Sequence, residues 1–336
     1  MTDMNEKEIN KKNILAYAAY TIDTELKMES SSGGIFSELA NLVLNQKGLV
    51  YGAAYDEKCM AKHVCIDNSE DLQKLRGAKY VQSSLGNCYQ DIKKQLESGR
   101  EVLFAGTPCQ VVGLKSFLGK DYAYLICIDF VCHGVPLPAV WEKYIQYRMK
   151  IDQQEAFPVY INMRSKETGW SRYGYSVEFR YADGRRYISE NSDDLFMKLF
   201  VNNYILCKAC GNCKFKGYER ISDITLGDFW GIWDIAPEMD DNEGTSLVLI
   251  HSKKGERLFD MLAENINFKQ VTLEQASRMN PSLLESSAHH PDREKVLDTI
   301  FQGSFEDALP ILNTSQVNKG VKEYLIRMFN KFWRFK

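Results

Sequence analysis

Two consecutive strand–loop–helix units constrain this 336-residue chain more than any other feature. Glu101-Val-Leu-Phe-Ala105 is an apolar run of strand length. It enters Gly106-Thr107-Pro108-Cys109-Gln110, and an apolar helical pattern follows through Leu118. Thr107 is an N-cap residue type. Pro108 suits the first helical position, where its missing N–H has no partner to lose and its φ is already helical. Tyr122 to Ile128 repeats the pattern, opening into Asp129-Phe-Val-Cys132-His133-Gly134-Val-Pro136 before helical spacing resumes at Trp141. A strand that returns through a helix to its neighbour makes a parallel pair. The loops after both strands then share the carboxyl edge of the sheet, where open α/β sheets bind ligands. Cys109 and Cys132 are thereby expected side by side. Cys109 also falls in the first turn of its helix, where the dipole favours a thiolate.

A second concentration of thiols is the run Cys207-Lys-Ala-Cys210-Gly-Asn-Cys213, followed by Lys214-Phe-Lys216-Gly217. Thiols two residues apart in a Gly/Asn turn can bend onto one metal centre. Buried structural cysteine prefers apolar surroundings, which this run lacks. A redox dithiol would want a strand before it and a helix after it. The three lysines instead suit a thiolate-bound metal. Cys109, Cys132, Cys210 and Cys213 form a candidate set of four ligands, with Cys207 a fifth thiol that can compete. Residue types leave both zinc and a 4Fe-4S cluster open. Lone cysteines on two carboxyl-edge loops favour iron–sulfur over the paired knuckles usual for zinc.

Charge and composition narrow the partners. The net charge of −3 gives no footprint for general nucleic-acid binding. Residues 1–12 are polar and read as a flexible arm, without the apolar core of a secretory signal. No run approaches the length of a membrane span. The expected location is the cytoplasm, where nine cysteines are thiols rather than disulfides.

The rest of the chain is read from periodicity and turn signals. Asn13 to Ile22 is an early strand. Ser30-Ser-Ser32-Gly33-Gly34 precedes Ile35, Phe36, Leu39, Ala40, Val43 and Leu44 at helical spacing. That entry is either a phosphate cradle at a helix N-terminus or an ordinary capped helix. Leu49 to Tyr55 and Lys62 to Ile66 read as strands, Ser69 caps a short helix through Leu75, and Lys79 to Ser83 reads as a strand end. Residues 157–190 alternate like antiparallel strands, with Asp183-Gly184 as a hairpin turn. Arg164, Lys166 and Trp170 there are either an anion site or a solvated loop. Ile221 to Leu226 and Ser246 to Ile250 are strands, and beyond Lys254 the chain reads as helices. The expected fold is α/β: a mixed sheet with parallel β-loop-α units, an antiparallel strand insertion and a helical C-terminal region. Residues 311–336 form an amphipathic pattern, with Val321, Leu325, Met328, Phe329, Phe332 and Phe335 on one face and basic residues opposite. It suits peripheral contact with anionic lipid or packing on the protein's own core.

These motifs, taken in order, resemble the coenzyme F-420 hydrogenase/dehydrogenase beta subunit family. The matching segments are Ser32 to Ser37, Leu75 to Ser83, Gly106 to Gln110, Val131 to Pro136, Lys166 to Trp170, Cys210 to Gly217 and Ser222 to Gly231. The resemblance implies FAD, a 4Fe-4S cluster and oxidoreductase activity on a small organic molecule. It places cluster ligands at Cys109, Cys132, Cys210 and Cys213. Around the FAD it places Ser32, Gly33 and Gly34, then Lys79, Tyr80, Gln82 and Ser83; Thr107 is a further candidate contact, and Asp228 either binds cofactor hydroxyls or simply ends its strand. A bulky side chain at Gly33 is then expected to expel the flavin. Lys79, where it faces the flavin, is expected to stabilise negative charge on the reduced ring, and His133 is either a proton donor or a polar turn residue that bonds the cluster's surroundings. A catalytic unit over residues 13–310 follows. Family members often carry an N-terminal ferredoxin-like module, and no cysteine precedes Cys59 here. Electrons are therefore expected from a separate ferredoxin-like protein. The short form accompanies polysaccharide assembly, which suggests a sugar-related substrate. The competing reading is a metal-stapled, non-catalytic accessory protein of such a complex.

Overall fold

The computed structural model describes residues 14–170 and 174–312. Eleven strands among them form two sheets. The large sheet contains β1 (Leu15–Thr21), β2 (Leu49–Tyr55), β3 (Ala61–Ile66), β4 (Val102–Gly106) and β5 (Leu125–Phe130). The small one contains β6 (Tyr160–Ser165), β7 (Ser176–Arg180) and β8 (Arg186–Glu190), and β9 (Ile224–Asp228), β10 (Ser246–Ile250) and β11 (Ile266–Val271) return to the large sheet. The large-sheet order is β11-β1-β10-β9-β5-β4-β2-β3. Its centre, β9-β5-β4-β2, is parallel and its flanks are antiparallel. The fold is thus the mixed α/β sheet that the two strand–loop–helix units require.

β4, at the centre, is apolar and buried at every position because both of its faces are covered. Leu103 and Ala105 of β4 pack with Ile35, Leu39 and Val43 of the helix Ile35–Asn45. Val102 and Phe104 face the other way, onto Ile92 of the helix Cys88–Glu97 and Val111 and Leu114 of the helix Pro108–Leu118. The latter helix starts with a capping box between Thr107 and Gln110 and has Pro108 at its start. The small sheet is an antiparallel meander with its own core, where Trp141 and Tyr144 of the helix Pro138–Ile151 meet Phe179 and Phe196. Asp194 is buried there; it caps the helix Leu195–Val201 at Met197 N (2.8 Å) and accepts from Tyr144 and Tyr187.

Three local expectations change. β11 lies where only helices were expected. It is an edge strand on β1 with most residues exposed, so its polar sequence carries no alternation. Lys79 to Ser83 is not a strand; the chain there is irregular, and Ser84 makes an isolated bridge to Lys62. Asp71, not Ser69, occupies the cap position of the short helix Leu72–Leu75, and Ser69 accepts from Leu72 N through its carbonyl. Ile311 and Leu312 are buried, and the remainder of the expected C-terminal helix, like the arm 1–12, lies outside the described residues. Among the described residues no helix is long and apolar enough to cross a membrane.

Candidate cofactor cavity and cysteine cluster

A cavity of about 900 Å³ lies at the carboxyl ends of β4, β5 and β9, bounded by Gly106, Phe130 and Asp228. Ser32, Gly34, Lys79, Tyr80, Gln82 and Ser83 line it. So do Thr107, Cys109, Cys132, His133 and Asp228, whereas Gly33, Cys210 and Cys213 do not.

Gly34 has φ +84°, and the helix it opens has no side-chain cap. The first amides of that helix therefore point outward without a capping side chain, the arrangement that favours an anion. Gly33 faces the other way. Its N–H donates to Ser246 Oγ (3.0 Å) and its carbonyl accepts from Thr21 N (2.8 Å), tying the loop to β10 and β1. Lys166 braces the same loop, with Nζ donating to Lys27 O (2.6 Å) and Ser32 O (2.8 Å).

Arg164 crosses the cavity wall almost fully buried, at 6% exposure. Nη1 donates to Tyr80 Oη (2.9 Å), and Nη2 lies 3.0 Å from Asp228 Oδ2. The guanidinium sits over the rings of Trp170 (4.2 Å) and Tyr175 (4.3 Å). Burial pushes the Asp228 carboxyl up, and Arg164 opposes that shift. Arg164 Nε is buried without a hydrogen-bond acceptor. Arg164 and Lys166 are therefore buried structural cations rather than a solvated loop, the usual outcome for such a sequence. Tyr80 stacks on Phe200 at 4.8 Å.

Lys79 points its ammonium at the preceding turn. Nζ donates to Leu75 O (3.1 Å), Arg76 O (2.6 Å) and Gly77 O (3.2 Å), so all three donors are engaged by backbone carbonyls. Burial pulls its pKa down to about 7. His133 is likewise held on both nitrogens, by Asn203 Oδ1 at Nε2 (2.6 Å) and Ser287 Oγ at Nδ1 (3.1 Å). Asn203 Nδ2 donates to Ala288 O (2.9 Å), which turns Oδ1 to the imidazole and puts the ring proton on Nε2. Burial lowers the pKa of His133. Neither residue presents a free donor to the cavity.

Five thiols gather beside the cavity rather than four. Cys109, Cys132 and Cys210 lie within electrostatic reach of one another, and Cys213 and Cys207 within reach of Cys210. The loops are clamped together by the bridge between Pro136 and Leu206 and by Cys207 N donating to Val135 O (2.8 Å). Val135 N donates to Cys210 Sγ (3.5 Å), an arrangement that stabilises a thiolate. Cys207 Sγ donates to Gln82 Oε1 (3.3 Å). Lys216 donates to the carbonyls of Cys132 and Ser282. Burial pushes the Cys132 thiol up to about 12, and Lys216 counters that shift. Among the described residues no three His, Cys, Asp or Glu side chains meet at one point sized for a single ion.

His63 is a cavity residue that sequence reasoning missed. Its Nε2 lies 3.1 Å from Ala105 O and its Nδ1 3.0 Å from Ser83 Oγ. A lone histidine inside a strand carries no local signal of this placement.

An α/β protein with a large cavity at the carboxyl edge of its sheet has the architecture of a ligand-binding protein, and here Cys109 and Cys132 line that cavity. The family model for the C terminus of the coenzyme F420 hydrogenase/dehydrogenase beta subunit matches residues 99–275, more than half of the chain. The chain belongs to the coenzyme F420 hydrogenase/dehydrogenase beta subunit family. Its fold is similar to that of a chain in the xenon-derivatised F420-reducing [NiFe] hydrogenase complex from Methanosarcina barkeri, with a TM-score of 0.54 at 15% identity. That similarity covers 86% of this chain and 92% of the other, and at this identity it concerns the fold. Comparison with curated proteins finds no match.

Proposed function

We propose that the protein is an FAD- and 4Fe-4S-dependent oxidoreductase that exchanges hydride and electrons between a small organic molecule and a separate ferredoxin-like carrier. The observation that carries this reading is the grouping of five thiols beside a cavity of about 900 Å³ that two of them, Cys109 and Cys132, line. Volumes of this order suit a large cofactor. The residues fit FAD in two respects. The uncapped helix start at Gly34 suits phosphate, and the buried Arg164 Nε lacks an acceptor beside the cavity. The thiols fit a cluster in the chemistry of the donor set, since a single zinc asks for ligands converging at about 2.3 Å and a four-iron cube has a wider perimeter.

FAD, when bound, supplies hydride and single-electron exchange, and a 4Fe-4S cluster single-electron exchange. The remaining work falls to the chain's own side chains. Cys109, Cys132, Cys210 and Cys213 hold the iron, with Val135 N and Lys216 offsetting thiolate charge. Ser32 and Gly34 receive phosphate. Arg164 and Asp228 fix the adjoining wall, and Tyr80 and Trp230 offer it aromatic faces. Lys79 lends positive charge from within the wall, its N–H groups committed to carbonyls. His133 keeps its proton for Asn203 and positions the Cys132 loop. We place the catalytic unit within residues 13–310, acting in the cytoplasm on a substrate from polysaccharide assembly.

Anaerobic purification tests this reading. The expected product is a yellow-brown protein with flavin absorbance and bound iron. A colourless protein carrying stoichiometric zinc would instead support the accessory-protein reading.

A further inference from the structure

We propose that His63, acting through Ser83 and Gln110, is a positioning residue that clamps Thr107 so that its hydroxyl stays within reach of the sulfur of Cys109. This role rests on the reading of Cys109 as an iron ligand.

The hydrogen-bond directions along this chain are fixed from both ends. Ala105 O can only accept and lies 3.1 Å from His63 Nε2, so that nitrogen carries the proton. The neutral ring then has a bare Nδ1, which accepts from the Ser83 hydroxyl at 3.0 Å. Ser83 Oγ, having donated, accepts from Gln110 Nε2 at 2.9 Å. At the far end, Thr107 N–H can only donate and lies 2.9 Å from Gln110 Oε1. That contact sets the Gln110 amide independently, and it agrees with the orientation reached from His63.

Thr107 Oγ1 stands between two acceptors, 3.0 Å from Gln110 Oε1 and 3.1 Å from Cys109 Sγ. With Cys109 as a thiol, the threonine hydroxyl can donate to Gln110 while receiving the S–H. A metal-bound thiolate has no proton to give, which leaves its sulfur open to a hydrogen bond from the hydroxyl. Gln110 Oε1 loses nothing essential when the hydroxyl turns to sulfur, because Thr107 N–H still occupies it. The chain thus clamps the threonine backbone and leaves its hydroxyl free to support the ligand. Hydrogen bonds to ligand sulfur are among the levers that tune a cluster and its affinity. His63 is a firm anchor, stacked on the buried ring of Phe104 at 5.2 Å. Burial also keeps it neutral, with a pKa lowered to about 4.

The test uses the full chain. In metal-free protein, nitrogen NMR of His63 should report the Nε2–H form, with an Nδ1 shift that changes in Ser83→Ala. In anaerobically loaded protein, iron release to a chelator should quicken several-fold in Ser83→Ala, short of the roughly 10- to 100-fold effect of removing a group bonded directly to a ligand. Ser83→Thr keeps the hydroxyl and should restore slow release. His63→Phe keeps the stacking on Phe104 while removing both nitrogens, and should release iron as fast as Ser83→Ala. Parent-like release in both Ser83→Ala and His63→Phe would overturn the proposal. So would His63 protonated on Nδ1 in a parent protein that binds iron, with the cluster reading left standing. A parent protein that binds no iron overturns the cluster reading and this role together, whatever the tautomer.

Discussion

Gly33→Ala is expected to cost stability rather than flavin. A Cβ added at Gly33 would lie 2.5 Å from Ala19 O, 2.9 Å from Ser246 N and 2.9 Å from Tyr20 Cβ. Ordinary van der Waals contact begins near 3.4 Å. Two of the three obstacles are backbone atoms of a paired ladder, because Ala19 of β1 faces Ser246 of β10. Neither can retreat without parting the strands, and the bonds from Gly33 to Ser246 and Thr21 keep the loop from swinging away. Overpacking of this kind costs roughly 1–3 kcal/mol, and backbone obstacles place the site at the upper end, about 3 kcal/mol. In a chain of this size each kcal/mol moves the melting temperature by roughly 2 °C, so a fall of about 6 °C is expected. Gly77→Ala is the control, since Gly77 has φ +80° with nothing within 4 Å. It should show backbone strain alone, about 1 kcal/mol. The assay is calorimetry with flavin content measured on the same samples. A Gly33→Ala protein that melts like the parent but holds no flavin would refute the packing argument and return Gly33 to the cofactor.

Three further outcomes follow from the same contacts. Arg164→Met should lower stability by about 3–5 kcal/mol by stranding the buried Asp228 carboxylate, and adding Asp228→Asn should recover part of the loss in urea unfolding; a double variant as unstable as the single would refute the pairing. Burial lowers the pKa of His251 to about 3, so the unfolded chain takes up this proton first as pH falls below about 6.5. The parent should therefore lose stability relative to His251→Gln by up to about 1.4 kcal/mol per pH unit between pH 6.5 and 5, and a pH-independent difference between the two counts against it. Cys132→Ser and Cys210→Ser should each abolish bound iron while Cys207→Ser retains it, measured by iron content after anaerobic loading; the reverse pattern would move a ligand position to Cys207.

The parts of this protein that could be read in the chain are those whose causes are local. The apolar run at 101–105 with Thr107 and Pro108 behind it marks a strand and a helix start within a dozen residues. The parallel pairing of β4 with β5, and the shared edge for the Cys109 and Cys132 loops, then follow from the geometry of such connections. The side of the molecule on which the cavity lies was legible for the same reason. Contacts between distant segments were not. β11 is a strand because β1 offers it an edge, not because its polar residues alternate. Gly33 looked like half of a Gly-Gly cradle, and only the approach of β1 and β10 turns it into a packing position. Arg164 reads as a loop cation until Tyr80 and Asp228 close round it from two distant stretches, beside Trp170 and Tyr175 from the connection between β6 and β7. His63 acquires a role only when β4, Ser83 and Gln110 meet in space. Propensity and periodicity act over a few residues, whereas burial and hydrogen-bond pairing depend on which surfaces the folded sheet brings together.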